Sequence, residues 1–430
     1  MPISPSEDEL KSSIIELKTK NSSLGIAKIH ALVLSSNPEW TVSEKRTRKV
    51  LQNEGLIAYN TSVQDQVAVY PSSRVIPNLD VRKWTSKVEV KFFDKKKGKG
   101  LVAAVNIEEG ETIWKEDPFI VAPEWDIFDL QMSSKACGYC TTPLEDSNLI
   151  TTCSASSTSA YCPARFCNRL CQSRSAKTHT LLCPAQNPAS IPLLKWARST
   201  QWMAIHALTQ CTSRILLAAQ QDDATLEADW QVLRGFAELG MEERHKYSFK
   251  LAGRSEPDRA AWKKAHQLLI QAFKEPKTVV EQKKLARILK KPIKPEMDKE
   301  LFDYDAGFLR GLGRMSLNLE AHGGLYTLHS HLNHSCNPNV SVRHFDKRNA
   351  LSRITLVAKR PIKAREELLV TYVNPQASYQ QRQSELQAWG FGSCRCERCV
   401  EEAKTVKELG PDDSAMGDLA DELKAGLGVM

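Results

Sequence analysis

Cysteine spacing constrains this chain more than any bulk property. Of its 12 cysteines, eleven stand in runs or motifs that suit metal ligation. The first run pairs Cys137 with Cys140, passes through Cys153 and Cys162, pairs Cys167 with Cys171, and closes on His179 and Cys183. Seven thiols and one imidazole make eight ligands, enough for two closed tetrahedral zinc sites. The spacers C-x2-C, C-x3-C and H-x3-C let one turn of backbone aim two donors at one point. A disulfide framework is the rival reading. It has no use for an interleaved histidine, and the chain opens without a secretory pattern, so thiols in a reducing compartment are expected.

A second run, Cys394, Cys396 and Cys399, offers three thiolates and leaves a zinc ion one ligand short. Cys336 is the best unassigned thiol. Cys211, the remaining one, lies in a helix-patterned stretch from Trp202 to Ala219 and reads as a small core residue. Eleven cysteines plus His179 then give twelve ligands, or three structural Zn²⁺ ions.

Cys336 also sits inside Asn333-His334-Ser335-Cys336-Asn337-Pro338-Asn339. Upstream lies Lys97-Gly98-Lys99-Gly100-Leu101, expected as a glycine turn between strand-like runs at Val88–Phe93 and Leu101–Val105. Downstream comes Glu366-Glu367-Leu368-Leu369-Val370-Thr371-Tyr372, followed by the second cysteine run. These motifs, in this order around an inserted cysteine module, resemble the SET-domain protein-lysine methyltransferases. The arrangement is that of the SMYD (SET and MYND) group and its fungal histone-lysine methyltransferase relatives, and the likeness covers roughly residues 85 to 400.

The resemblance implies an α+β fold: a β-rich SET core with a pseudoknot, an inserted MYND zinc module, a helical SET insert and a post-SET zinc site. It implies that Cys137, Cys140, Cys167 and Cys171 hold one zinc, that Cys153, Cys162, His179 and Cys183 hold a second, and that Cys336 completes the site of Cys394, Cys396 and Cys399. One departure stands out: a Ser/Thr-rich insert, Ser154 to Ala160, separates Cys153 from Cys162 where MYND modules have a tight C-x2-C. The same resemblance implies S-adenosyl-L-methionine as methyl donor, held by Gly98, Lys99, Gly100, Asn333, His334, Tyr372 and one aromatic of the pair Trp389 and Phe391. Phe391 is the one assigned, although the spacing is one residue longer than in SMYD enzymes.

Tyr372 takes the position of the family's catalytic tyrosine. Methyl transfer from a sulfonium to an amine is a direct displacement, so the protein must align the amine and present it unprotonated rather than supply a nucleophile. A lysine with a pKa near about 10.4 is mostly the wrong form at neutral pH, and a dry channel beside a positive sulfonium disfavours the ammonium. A phenol oxygen can orient the lone pair. Tyr326 is a further candidate lining residue, and Glu366 and Glu367 read as turn and surface carboxylates.

Domain boundaries follow. Residues 1–60 form a helical module, 61–84 a linker, 85–136 the first part of the SET domain and 137–183 the MYND-type module. Residues 184–304 form the helical insert, 305–375 the C-terminal SET core, 376–400 the post-SET segment and 401–430 an acidic mobile tail. The first module is expected to hold three helices. Leu10, Ile14 and Leu17 share one face of Glu7–Lys20, a second helix covers Leu24–Leu34, and Thr41-x-x-Glu44 reads as a capping box opening a third helix through Asn53. Val50 and Leu51 point inward there, Lys45, Arg46, Arg48 and Lys49 outward, and Gly55 stops it. This resembles a helix-turn-helix, which makes nucleic acid a candidate partner of residues 1–60; a charged face is also an ordinary solvated one.

In the insert, helical periodicity covers Trp196–Ala219, Trp230–Leu239 and Ala260–Phe273, while the basic run Lys283–Lys291 is either a nuclear signal or a helix surface. Net charge is +8 but uneven, with 17 Lys/Arg against 11 Asp/Glu in residues 1–100 and 3 against 8 in residues 401–430. No apolar run approaches the roughly 18 residues needed to span a bilayer, so no membrane partner is expected. The function implied is protein-lysine N-methylation of histone tails or nucleosomes, in nucleus and cytoplasm. Three alternatives stay open: a lysine of a ribosomal or translation-associated protein, a non-catalytic adaptor whose MYND module takes proline-rich peptides, and a nucleic-acid-binding regulator led by residues 1–60.

Overall fold

Strand-forming residues concentrate where Val88, Val90 and Leu101 can face one apolar layer, and two antiparallel strands, β1 (Val88–Asp94) and β2 (Gly98–Ala103), form there. The computed structural model describes residues 4–21, 24–53, 71–145, 148–247, 259–344 and 352–408, and divides into two units, Met1–Ala68 and Val69–Met430. The expected linker before residue 71, the helix stop at Gly55 and the acidic tail beyond residue 408 lie outside the described residues.

The larger unit is built on short strands: β3 (Thr112–Glu116), β4 (Ile120–Val121), β5 (Thr151–Thr152), β6 (Arg165–Phe166), β7 (Gly324–Leu325), β8 (Asn333–His334), β9 (Val340–Arg343), β10 (Ile354–Ala358) and β11 (Glu367–Val370). They pair as a four-stranded sheet in the order β1-β2-β11-β8, a three-stranded sheet β3-β10-β9, and the pairs β4-β7 and β5-β6. All pairs are antiparallel except β11 with β8, which run parallel with Leu369 opposite Asn333 and Val370 opposite His334. Val88, Leu101, Trp114, Leu356 and Leu368 fill the space between the sheets.

The glycines of the Lys97–Leu101 motif lie in β2 rather than in the turn. The turn is Asp94–Lys97, closed by the Asp94 carboxylate, which accepts from the backbone N–H groups of Lys96 (2.8 Å) and Lys97 (2.7 Å). Pairing slips between Phe92 and Asp94, and that irregularity leaves Phe92 exposed while Phe93 turns against Gly100.

A helical layer follows the cysteine module. The periodicity expected as one helix over Trp196–Ala219 is two, Ile191–Ser199 and Met203–Gln221, separated where Gln201 adopts φ 51°. The stretch read as Trp230–Leu239 starts earlier, as Asp223–Gly235, because the Asp222 carboxylate caps it by accepting from Thr225 N–H at 2.7 Å. Helices Arg259–Phe273, Val279–Ile288, Pro295–Phe302 and Leu309–Asn318 complete the layer. Met203–Gln221 is buried on nearly all sides, and Cys211 lies inside it with its sulfur 3.7 Å from Met315 Sδ. Residues 71–84 do not run free: Ser72 pairs with Glu238 through two backbone hydrogen bonds, and Ile76 is buried.

The smaller unit packs three helices, Glu7–Lys20, Ile26–Ser36 and Glu44–Asn53, around Leu10, Ile14, Ile29, Val33 and Leu51. The capping box is at the first helix, where Ser6 and Glu9 exchange bonds, and not at Thr41 and Glu44. The third helix, starting at Glu44, is capped by Ser43, whose hydroxyl accepts from Arg46 N–H at 3.3 Å, while Val42 before it is buried in the core. Arg46 does not face solvent freely: its guanidinium donates to Pro5 O (2.7 Å) and Ser4 Oγ (3.0 Å).

Candidate active site

Three groups of donors converge among the described residues: Cys137, Cys140, Cys167 and Cys171; Cys153, Cys162, His179 and Cys183; and Cys336, Cys394, Cys396 and Cys399. In each group the ligand atoms all lie within 4.8 Å of one another. Sulfurs stand 3.4 Å apart for Cys140 and Cys167, 3.7 Å for Cys153 and Cys183, and 3.4 Å for Cys336 and Cys399. A disulfide would need about 2.05 Å. A tetrahedral zinc with Zn–S near 2.3 Å sets sulfur–sulfur edges at about 3.8 Å, so the spacing fits a metal and not a bond.

The Ser/Thr-rich insert is absorbed locally. It folds into a turn, with Ser157 N–H donating to Ala160 O, and Ser156 Oγ accepts from Cys162 N–H at 3.0 Å. Cys162 thereby returns to the mouth of the β5–β6 hairpin, its sulfur 3.5 Å from His179 Nε2.

The third cluster borders a cavity of about 500 Å³ lined by Lys99, Asn333, His334, Tyr372, Phe391 and Cys396, among others. A pocket of this size is in the range of small-molecule sites. Five of the expected cofactor residues therefore meet at one place. Gly98 and Gly100 sit behind its wall: Gly98 holds φ +73°, and a Cβ on Gly100 would lie 2.4 Å from Phe93 and 2.9 Å from Asn333 Nδ2.

Several of the expected residues have side chains engaged within the protein. The Asn333 amide donates to Lys99 O and to Glu367 Oε1, both at 3.0 Å, so it ties three strands together. The second Glu367 oxygen pairs with Lys97 Nζ, and Glu366 accepts from Arg360 and Asn339; these carboxylates are structural rather than simple surface groups. Lys99 is buried, with Nζ donating to Gly235 O (2.8 Å) and Ser330 Oγ (3.1 Å); burial lowers its pKa to about 7 against a small opposing pull from Glu116. Tyr326 lies in the core and donates its hydroxyl to Ser352 O, away from the cavity. Trp389 does not line the cavity either and packs under Arg244 at 5.5 Å, whereas the Phe391 ring stands 4.9 Å from that of Tyr372.

His334 links the motifs. Its Nδ1 accepts from Tyr372 N–H at 3.0 Å, which leaves the proton of a neutral ring on Nε2, 3.3 Å from Cys336 Sγ. Burial first, then Arg382, lowers its pKa to about 4, which keeps the ring neutral. The Tyr372 hydroxyl donates to Leu332 O at 2.6 Å, and desolvation of that oxygen raises its pKa above the ordinary value, although Tyr372 as a whole is 37% exposed.

Residues that pattern alone did not single out also build the site. Asn339 is buried and joins the motif string to β11 with three bonds: to Glu367 O (2.8 Å), to Glu366 Oε1 (3.1 Å) and from Leu369 N–H (2.7 Å). Arg382 is fully buried between Glu402 and Ala377 O and clamps the last cysteine run. Asn339 closes the motif string itself, so a signal was present; nothing local marks Arg382.

A β scaffold whose parallel β8–β11 contact joins a thiol cluster to a cavity of small-molecule size defines an α+β protein with a candidate ligand site and donor groups that could hold metal. The chain belongs to the SET domain family, whose profile matches residues 98–373. Similar proteins include the histone-lysine N-methyltransferase SET5 of Yarrowia lipolytica, 28% identical over 420 residues, covering 94% of this chain and 84% of that one. SET5 of Mycosarcoma maydis is 30% identical over 339 residues, covering 72% and 66%. SET5 of Candida albicans is 29% identical over 424 residues, covering 94% and 82%. Among solved structures, the SET domain of LSMT bound to lysine and AdoHcy matches 79% of this chain and 55% of that one, at 12% identity and a TM-score of 0.31.

Proposed function

We propose that this protein is an S-adenosylmethionine-dependent protein-lysine N-methyltransferase whose substrate is a histone lysine. The observation that carries the reading is the convergence of Tyr372, His334 and Phe391 on one cavity inside a chain of the SET domain family. The names of the fungal relatives support histones as the substrate class.

The residues fit the cofactor. The cavity has room for a small molecule, and Phe391 offers an aromatic face for a planar base. Asn333, His334 and Lys99 line the same cavity. When bound, the cofactor supplies an activated methyl group on a sulfonium. The Tyr372 hydrogen is committed to Leu332 O, so the phenol oxygen acts only as an acceptor and can orient an entering amine by its N–H. The raised pKa keeps that oxygen a neutral phenol at physiological pH. The positive sulfonium of a bound cofactor would favour the neutral form of a substrate lysine.

Three zinc ions are the natural occupants of the three donor groups, with structural roles, since each group already offers four ligands. On this reading residues 137–183 are a MYND-like module, supported by the first two donor groups, and residues 376–400 a post-SET segment, supported by the third. A chromatin substrate favours a nuclear site of action. No helix among the described residues is long and apolar enough to cross a membrane.

The test is transfer of a labelled methyl group to core histones, nucleosomes and a whole-cell lysate by the zinc-loaded protein and by Tyr372→Phe. Label on a histone is expected, reduced about 100-fold or more in the variant. Label confined to a lysate protein would move the substrate away from histones; no label above the variant would overturn the enzyme.

A further inference from the structure

A second cavity, of about 410 Å³, adjoins the first and shares only Ser73 with it. Its ionic lining is lopsided. Arg74, Arg234, Lys299, Arg310 and Arg314 face it against two carboxylates, Glu238 and Glu300. Glu238 accepts from both Arg310 (3.4 Å) and Arg314, and Glu300 pairs with Arg234 at 3.2 Å. Among the described residues, no carboxylate lies within ion-pair distance of Arg74 or Lys299.

The cations are held in place by the fold. Arg74 Nε donates to Arg234 O at 3.0 Å from the segment that Ser72 pins to Glu238. Arg310 and Arg314 lie one turn apart on helix Leu309–Asn318, and Arg314 is 8% exposed. Its buried Nε has no hydrogen-bond partner. A buried guanidinium N–H without an acceptor is costly. Burial and the neighbouring arginines also push the pKa of Arg74 below the ordinary value, which fits unbalanced positive charge.

We propose that this cavity, formed by Arg74, Arg234, Lys299, Arg310 and Arg314, is a binding site for a phosphate-class dianion. Five cations against two carboxylates leave three positive charges, so a dianion offsets more of the imbalance than a single carboxylate. Guanidinium forks match phosphate oxygens with paired N–H donors. The dianion comes either as free phosphate or as a phosphorylated side chain on a protein. The site is separate from the candidate methyl-transfer cavity, and its test needs no catalysis.

Heat unfolding of the zinc-loaded full chain in inorganic phosphate, against chloride at matched ionic strength and pH, reads the site directly. A saturable rise in Tm is expected. The dissociation constant from that titration should rise at least tenfold in Arg74→Gln and in Arg310→Gln, and stay unchanged in the surface control Lys263→Gln. The rise for each variant is measured from its own Tm in chloride, since Arg74→Gln loses the bond to Arg234 O and Arg310→Gln the pair with Glu238. No rise in the wild type, or the same rise in all four proteins, overturns the site, because salts that are excluded from protein surfaces stabilise without binding. A phosphoserine peptide then separates the sources. Binding more than tenfold tighter than free phosphate, lost in Arg74→Gln, supports a protein-borne group; binding no tighter supports the free ion.

Discussion

The Cys336 sulfur lies 3.4 Å from that of Cys399 although 63 residues separate them in the chain. Two residues before Cys336, His334 accepts the backbone N–H of Tyr372. The third thiol cluster and the candidate catalytic tyrosine are therefore held by one short segment, and disturbing the cluster should disturb the tyrosine.

Metal removal tests that coupling. Metal analysis of the purified wild type is expected to give three zinc ions per chain, and Cys336→Ser two. Structural zinc sites contribute folding energy outright, with apparent binding free energies of roughly 10–16 kcal/mol in zinc-finger peptides. The variant should therefore lose protease protection across residues 376–408 and bind S-adenosylmethionine at least tenfold more weakly. A variant that keeps three ions and full affinity would sink the bridge between the motifs.

Gly100→Ala probes the wall of the cavity. The new methyl group would press on Phe93 and on the Asn333 amide that holds Lys99 O and Glu367. Overpacking of this kind costs about 1–3 kcal/mol. Urea unfolding should show that loss, and calorimetry should show weaker cofactor binding than the wild type.

Asn339→Ala removes three buried bonds between the motif string and β11. Groups left buried and unpaired cost about 1–3 kcal/mol each at the upper end. The expected result is a fall in stability of about 2–4 kcal/mol with hydrogen exchange accelerated at Leu369, since Leu369 N–H loses its acceptor.

Lys99 makes stability depend on pH. Its folded pKa is lowered to about 7 by burial, and Glu116 opposes that shift while His331, also buried nearby, feels the Lys99 charge. Between about pH 7 and the unfolded lysine value of about 10.4, the unfolded chain holds a proton that the folded chain has released. Stability from this group thus rises with pH across that window, by at most about 1.4 kcal/mol per pH unit. The difference in unfolding free energy between wild type and Lys99→Met should climb from pH 7 to pH 9. A flat difference would mean that Lys99 stays protonated in the fold.

Much of the site was legible because its parts are local. A C-x2-C or H-x3-C pair is close in space whatever the rest of the chain does, so the twelve donor residues could be named from spacing and their partition from family likeness. Glu7–Lys20 was legible for a similar reason, since apolar residues at helical spacing need only a core to face. The misplaced third-helix cap shows where local pattern runs out. Thr41 and Glu44 have the right spacing, but Val42 is buried and the cap falls at Ser43.

Side-chain engagement was not legible. Asn333 and Lys99 were named as cofactor-binding residues, but no motif shows that their side chains bond to backbone carbonyls brought in from far along the chain. The arginine-lined cavity draws on residues from 72 to 314, and no window of sequence contains it.

The sequence by itself determined which residues can bind metal, which stretches turn as helix or strand, and where the SET motifs stand, because these depend on donor chemistry and neighbouring backbone. Tertiary structure alone decided which hydrogen bonds occupy Asn333, Asn339 and Arg382, and where unbalanced charge collects. Those outcomes depend on distances between segments 20 to 234 residues apart, and such distances exist only once the apolar layers have packed.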